Sequence, residues 1–207
     1  MHPYLVKLDI RKEVQFFFEP FYHCDEAGNL VFCYGGEKEH FGLAWHRVPR
    51  ATHWWQAGEE SSARQVLICA SAMEAISFLS VNYHRYPVQE ELLFIALGTY
   101  PSPDQLSLLR QRLRQKKVAL VFDRGILGRL QDIAVAAGLS GNRIRIKYMG
   151  KEVFEITYQG RNYRFHQAAL TLSLFQKTIG RRWAIRTHKA KGAACFLQQL
   201  THPFIKH

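Results

Sequence analysis

The chain has 207 residues, 47% of them hydrophobic and 22% charged, with a formal net charge of +11 and a pI near 9.7. That length suits one domain of ordinary size, or one with a small appendage, and the composition predicts a packed core rather than disorder. The charge excess favours a polyanionic partner (DNA, RNA or an anionic surface), although an inert basic surface has the same composition. The longest apolar runs, such as Gln65–Ala70 and Leu92–Leu97, fall far short of the ~20 residues of a membrane span, so no membrane partner is expected. Met1–Lys7 carries no signal-peptide apolar region, and Cys24, Cys33, Cys69 and Cys195 read as reduced thiols, so a cytoplasmic location is expected.

From Glu13 to about Glu60 the chain is rich in aromatic and turn residues. Asp25–Asn29 is a turn signal, and Leu30–Tyr34 and Phe41–Trp45 are short strand candidates separated by Gly35-Gly36 and a charged patch. This segment, 1–62, predicts a small antiparallel sheet packed on the core formed by the middle of the chain. Between Arg64 and Lys147 apolar runs alternate with helical periodicity. Strands are predicted at 65–70, 92–97, 118–122 and 143–148, with helices at 71–82, 103–115 and 125–137. Ser71 and Ser102 are N-cap candidates, and Pro103 suits a first helical position. Continuous apolar strands joined by helices predict a four-stranded, mainly parallel sheet over 63–149, covered on both faces. In 150–207, Gln159-Gly160 separates two hairpin strands, and helices are predicted at 168–179 and 194–200. This last segment reads as a basic α+β module.

Ligands of parallel sheets bind beyond the C-terminal strand ends. Here those positions are Ala70–Glu74, Gly98–Ser102 and Asp123–Gly128. The runs Val66–Leu79 and Val118–Gly128, together with the small N-terminal sheet, resemble the Toprim domains of primase-like proteins from plasmids and conjugative elements, over roughly residues 16–148. That resemblance implies a Glu ending the first strand, an acid four residues later, and Asp-x-Asp then Gly after the third strand, the acids holding magnesium. Magnesium on phosphate takes hard oxygen ligands, commonly one or two carboxylates, so the chemistry is coherent. In this chain Ala70 stands at the Glu position and Gly125 at the second Asp. Glu74, Asp123 and Gly128 match, and Arg124 brings a cation beside Asp123. The resemblance thus implies a degenerate Toprim fold. Glu74 and Asp123 form a residual magnesium site on one reading and structural carboxylates on the other, and the expectation is of no cofactor and no primase or topoisomerase chemistry.

Cys24, Cys33, His40 and His46 could in principle hold zinc, but their spacing matches no compact zinc ribbon. His23 and His53 read as surface residues. Trp54-Trp55 is expected to cover a core edge rather than to stack on bases. From Lys151 onward ten cations face only Glu152 and Glu155. Within that segment Arg181, Arg182, Trp183, Arg186, His188, Lys189 and Lys191 interleave cations with aromatic rings, a pattern that suits phosphate contact and stacking, or else a solvated face. The expected function is nucleic-acid binding without catalysis. The resemblance supplies a setting in the replication or mobilisation of a mobile element, with the proteins of such a complex as further partners. A divergent magnesium-dependent nucleotidyl transferase or nuclease, and a protein-binding scaffold, stand as the alternatives.

Overall fold

The computed structural model describes residues 1–201. In chain order the elements are α1 (Pro3–Lys7), α2 (Lys12–Phe18), β1 (His23–Cys24), β2 (Leu30–Tyr34), β3 (Glu37–Phe41), β4 (His46–Arg47), β5 (Trp55–Ala57), β6 (Gln65–Cys69), α3 (Ala72–Asn82), β7 (Leu92–Ala96), α4 (Pro103–Arg112), β8 (Lys117–Val121), α5 (Ile126–Leu139), β9 (Ile144–Tyr148), β10 (Val153–Tyr158), β11 (Arg161–His166), α6 (Leu172–Ile179), β12 (Arg186–His188) and α7 (Phe196–Thr201). They form an α/β protein with three sheets. Among the described residues no helix is long and apolar enough to cross a membrane.

The central sheet has the order β12-β8-β6-β7-β5. The strands β12, β8, β6 and β7 run parallel, and β5 is antiparallel to β7. The three buried strands expected at 65–70, 92–97 and 118–122 are β6, β7 and β8, side by side. The fourth strand, expected at 143–148, is a correction: β9 at 144–148 lies in a separate antiparallel sheet, β11-β10-β9, and the fourth parallel strand is β12, beside β8. The physical reason lies in its pattern. Arg145 and Lys147 alternate with Ile144 and Ile146, which suits a sheet with one solvated face, not a parallel sheet covered on both. Strand β12 is short and polar and can serve as a parallel strand only at the sheet's edge.

Strands from the first and last segments thus edge the central sheet, while β9 from the middle segment joins β10 and β11. The N-terminal sheet, β1-β2-β3-β4, is antiparallel throughout. Its second long strand begins at Glu37 rather than Phe41, because Tyr34 pairs with Glu37 across the two-residue turn Gly35-Gly36.

Period-two alternation divides the core between the two faces of the central sheet. Leu67, Cys69, Phe94, Ala96, Ala119 and Val121 pack with α2, α3, the N-terminal sheet and α7. Val66, Ile68, Leu93, Ile95, Leu120 and Phe122 pack with α4, α5, α6 and the second antiparallel sheet. Burying each large apolar side chain contributes roughly 1.5–3 kcal/mol, which makes the two layers the main source of stability. The N-caps behave as their residue types require: Ser71 accepts from the Glu74 amide at 3.1 Å, and Ser102 forms a reciprocal capping box with Gln105.

Candidate functional site

Of the two strand-end acids, Glu74 is held by another part of the same chain. Strand β6 ends at Cys69, so Ala70 brings no carboxylate to the start of α3. The carboxylate that does arrive comes from Glu39 on β3. It is fully buried and accepts from the Tyr34 hydroxyl, the Ala72 amide (2.8 Å), the Met73 amide (3.2 Å) and His46 Nε2 (2.8 Å). Glu39 therefore docks the N-terminal sheet onto the positive end of α3. Its inward orientation follows from strand alternation with Phe41. That parity was the available sequence signal, obscured by the charges on either side.

Glu74 lies in the first turn of α3, buried. Its Oε1 accepts from the Phe196 amide at 2.7 Å and its Oε2 from the Leu197 amide at 3.3 Å, so it anchors the start of α7. Burial pushes its carboxyl pKa up, the two amides oppose that, and the charge of Asp123 adds to it. The Asp123 charge also raises the pKa of Asp132 on α5. Asp123 thus acts electrostatically on both acids at this end of the sheet.

Lys189 follows β12 and turns into this cluster. Its ammonium donates to the Asp132 carboxylate (2.6 Å), the Asp123 carbonyl (2.9 Å) and the Phe122 carbonyl (3.1 Å). All three of its N–H donors thus have partners. Asp132 is almost wholly buried, and its pKa rises to about 6, burial outweighing the pull of Lys189. Arg124 donates to the Ala190 carbonyl at 3.0 Å, and its amide donates to the Ala194 carbonyl. A side chain at Gly128 would come within 2.2 Å of the Asp123 carbonyl, so only glycine lets α5 start this close to the strand end. Asp132 escaped the sequence reading, although it lies four residues after Gly128, on the same helix face.

This arrangement leaves too few free carboxylates for magnesium. The Lys189 ammonium already bonds the Asp132 carboxylate and the Asp123 main-chain carbonyl, and Glu74 is spent on backbone amides. Among the described residues no group of three or more His, Cys, Asp or Glu side chains is placed to hold a metal ion. Millimolar Mg²⁺ should shift the melting temperature by less than about 2 °C, because a ligand stabilises only a state that binds it. A rise of several degrees that disappears in Asp123→Ala would overturn this.

The basic stretch divides into two groups. Trp183 is half-buried against Tyr158 and Phe175, with ring centroids at 6.3 and 5.9 Å. His188 packs on Phe78, its pKa lowered by burial and then by Arg85 and Arg186. Lys189 is held by the oxygens of Phe122, Asp123 and Asp132. Arg181, Arg182, Arg186 and Lys191 are exposed, and their side chains have no partner among the described residues. Lys206, counted with the C-terminal cations, lies outside the described residues.

Of the remaining candidates, Cys24 and Cys33 are exposed, with Cys33 Sγ 4.0 Å from His23 Nδ1. His40 stacks on Trp45 and faces Asp25, whereas His46 bonds Glu39. His53 lends its carbonyl to Gln105. Trp55 is buried, its indole donating to the Phe21 carbonyl at 2.7 Å, and Trp54 lies under the Arg112 guanidinium.

No family model matches the chain, and no curated protein matches it. Among solved structures, the primase fragment of the bacteriophage T7 primase-helicase protein is similar to it with a TM-score of 0.41 and 11% sequence identity, over 96% of this chain and 68% of that one.

Proposed function

We propose that this chain binds nucleic acid on a Toprim-like α/β core whose strand-end acids serve structure instead of magnesium chemistry. One observation carries the reading: Glu74 and Asp132 spend their carboxylates within the chain, while Arg181, Arg182, Arg186 and Lys191 stand exposed and unpartnered among the described residues. With a net charge of +11, such cations supply phosphate contacts whose strength comes from counterion release. A place in the replication or mobilisation of a mobile element, beside the proteins of such a complex, is the setting that the Toprim resemblance of the strand-end motifs suggests.

Fluorescence anisotropy with labelled single- and double-stranded oligonucleotides, titrated with salt, tests the reading. Wild type should bind at low salt and weaken steeply as salt rises. Replacing Arg181, Arg182, Arg186 and Lys191 with Ser should weaken binding and flatten the log–log slope by ~0.7 per lost contact for single strands and ~0.9 for duplex. Because the four side chains are exposed, melting should barely change. A wild type that binds no nucleic acid at low salt would transfer the protein to the scaffold reading.

A further inference from the structure

A groove of about 770 Å³ opens beyond the C-terminal end of β7, between the loop Thr99–Ser102, helix α4 and the turn that leads into β9. That volume lies within the range of ligand sites. Arg50, Arg110 and Arg143 line it, and among the described residues no acid does. None of the three guanidiniums has a hydrogen-bond or ion-pair partner among the described residues. Tyr100 stands at the groove 66% exposed, with its ring free of the core.

The walls are braced. The Pro49 carbonyl, next to Arg50, accepts from both the amide and the hydroxyl of Thr99, next to Tyr100. Gly98 permits that approach, since a side chain there would meet the Pro49 carbonyl at 2.5 Å. Gln105 of α4 donates to the carbonyls of His53 and Leu97, locking the helix to both flanking loops. The Arg110 guanidinium lies directly over Gly141: a side chain at that position would fall 2.5 Å from its central carbon. Gly141 has φ +78°, a conformation that glycine adopts freely, and the turn it makes leads straight to Arg143.

Unpartnered guanidiniums from three separate elements, lining one groove without an acid, make a site for several phosphates. An exposed ring on a braced loop adds a stacking platform for a base. We infer that this groove takes a single-stranded nucleic acid, its phosphodiesters on Arg50, Arg110 and Arg143 and a base on Tyr100. The inference rests on the nucleic-acid-binding reading and assigns it a second, built site apart from the exposed cations of the C-terminal stretch.

The test uses the whole chain, a labelled oligothymidylate and a duplex of equal length. The expected result is that Arg50→Ser/Arg110→Ser/Arg143→Ser weakens single-strand binding at least tenfold and flattens its salt slope by about 2, from ~0.7 for each of three contacts. Tyr100→Ala should weaken the single strand about tenfold with an unchanged slope, because stacking releases no counterions. Duplex binding should fall less than single-strand binding in both variants, and both should melt as wild type does. If wild type binds but the triple variant keeps wild-type affinity and slope, the groove assignment fails and the broader reading stands. If wild type binds neither probe at low salt, the broader reading fails as well. Displacement of the oligothymidylate by micromolar thymidine monophosphate would overturn the proposal in favour of a mononucleotide site.

Discussion

Glu39→Ala should cost about 3–5 kcal/mol of stability, a large part of what a domain of this size possesses. The substitution removes the acceptor for the Tyr34 hydroxyl and for the Ala72 and Met73 amides, all at buried positions. Each buried donor left without a partner costs about 1–3 kcal/mol, and the electrostatic attraction to the start of α3 is lost besides. Glu39→Gln keeps the shape and one acceptor oxygen and should cost about half as much. Tyr34→Phe removes one donor and leaves the carboxylate its two amides and His46; about 1–2 kcal/mol is expected. Urea unfolding measures all three. A loss below about 1 kcal/mol for Glu39→Ala, with the slope of the transition unchanged, would mean that the carboxylate does not hold the N-terminal sheet to the core.

The second large effect is expected at Lys189. Lys189→Met leaves Asp132 buried without its counter-charge, which should cost about 3 kcal/mol at pH 7.5, the lower end for a broken buried pair because Lys189 is partly exposed. The pH dependence carries the signature. Asp132 titrates near pH 6 in the folded protein, above the 3.8 of an ordinary Asp. The folded state therefore holds its proton more tightly than the unfolded state. The resulting stabilisation is complete below about pH 4, fades as pH rises through about 6, and spans about 3 kcal/mol. Lys189 is what pulls this pKa down, so in Lys189→Met the titration should move to higher pH and the variant should regain stability on acidification from pH 7.5 to 5. Asp132→Asn in the Lys189→Met background should restore most of the loss and flatten the melting-temperature profile between pH 4 and 6. A Lys189→Met profile parallel to wild type would show that the two groups are not coupled.

These two carboxylates mark the limits of sequence reading here. The expected acids, Glu74 and Asp123, lie at the strand ends where apolar runs and helix starts put them. The signals were local: a buried run, then a Ser cap, or a run ending in Asp followed by Gly128. Glu39 and Asp132 enter the same region from a strand and a helix whose relevance depends on packing. The local signals, the parity of Glu39 with Phe41 and of Asp132 with Gly128, say which face each residue takes but not which partner meets it there. The basic stretch shows the converse. Its interleaved cations and rings matched a binding surface, yet Trp183, His188 and Lys189 are engaged within the fold, because a chain that returns to the sheet as β12 must bury one of its sides.

By itself the sequence determined the three central strands, the capped helices between them, the hairpin of β10 and β11 and the strong positive charge. Each of these rests on period, cap chemistry or composition, which act over a few residues. Only the tertiary structure decided which strand completes the sheet. The segment at β9 has alternating cations and needs one wet face, so it pairs with β10, while the polar β12 finds its hydrogen bonds along the exposed edge of β8. Tertiary structure also decided the fate of the acids. A carboxylate binds whichever cation or amide the fold brings within about 3 Å. Here the partners are the Lys189 ammonium and the first amides of α7, separated from Asp132 and Glu74 by long stretches of chain.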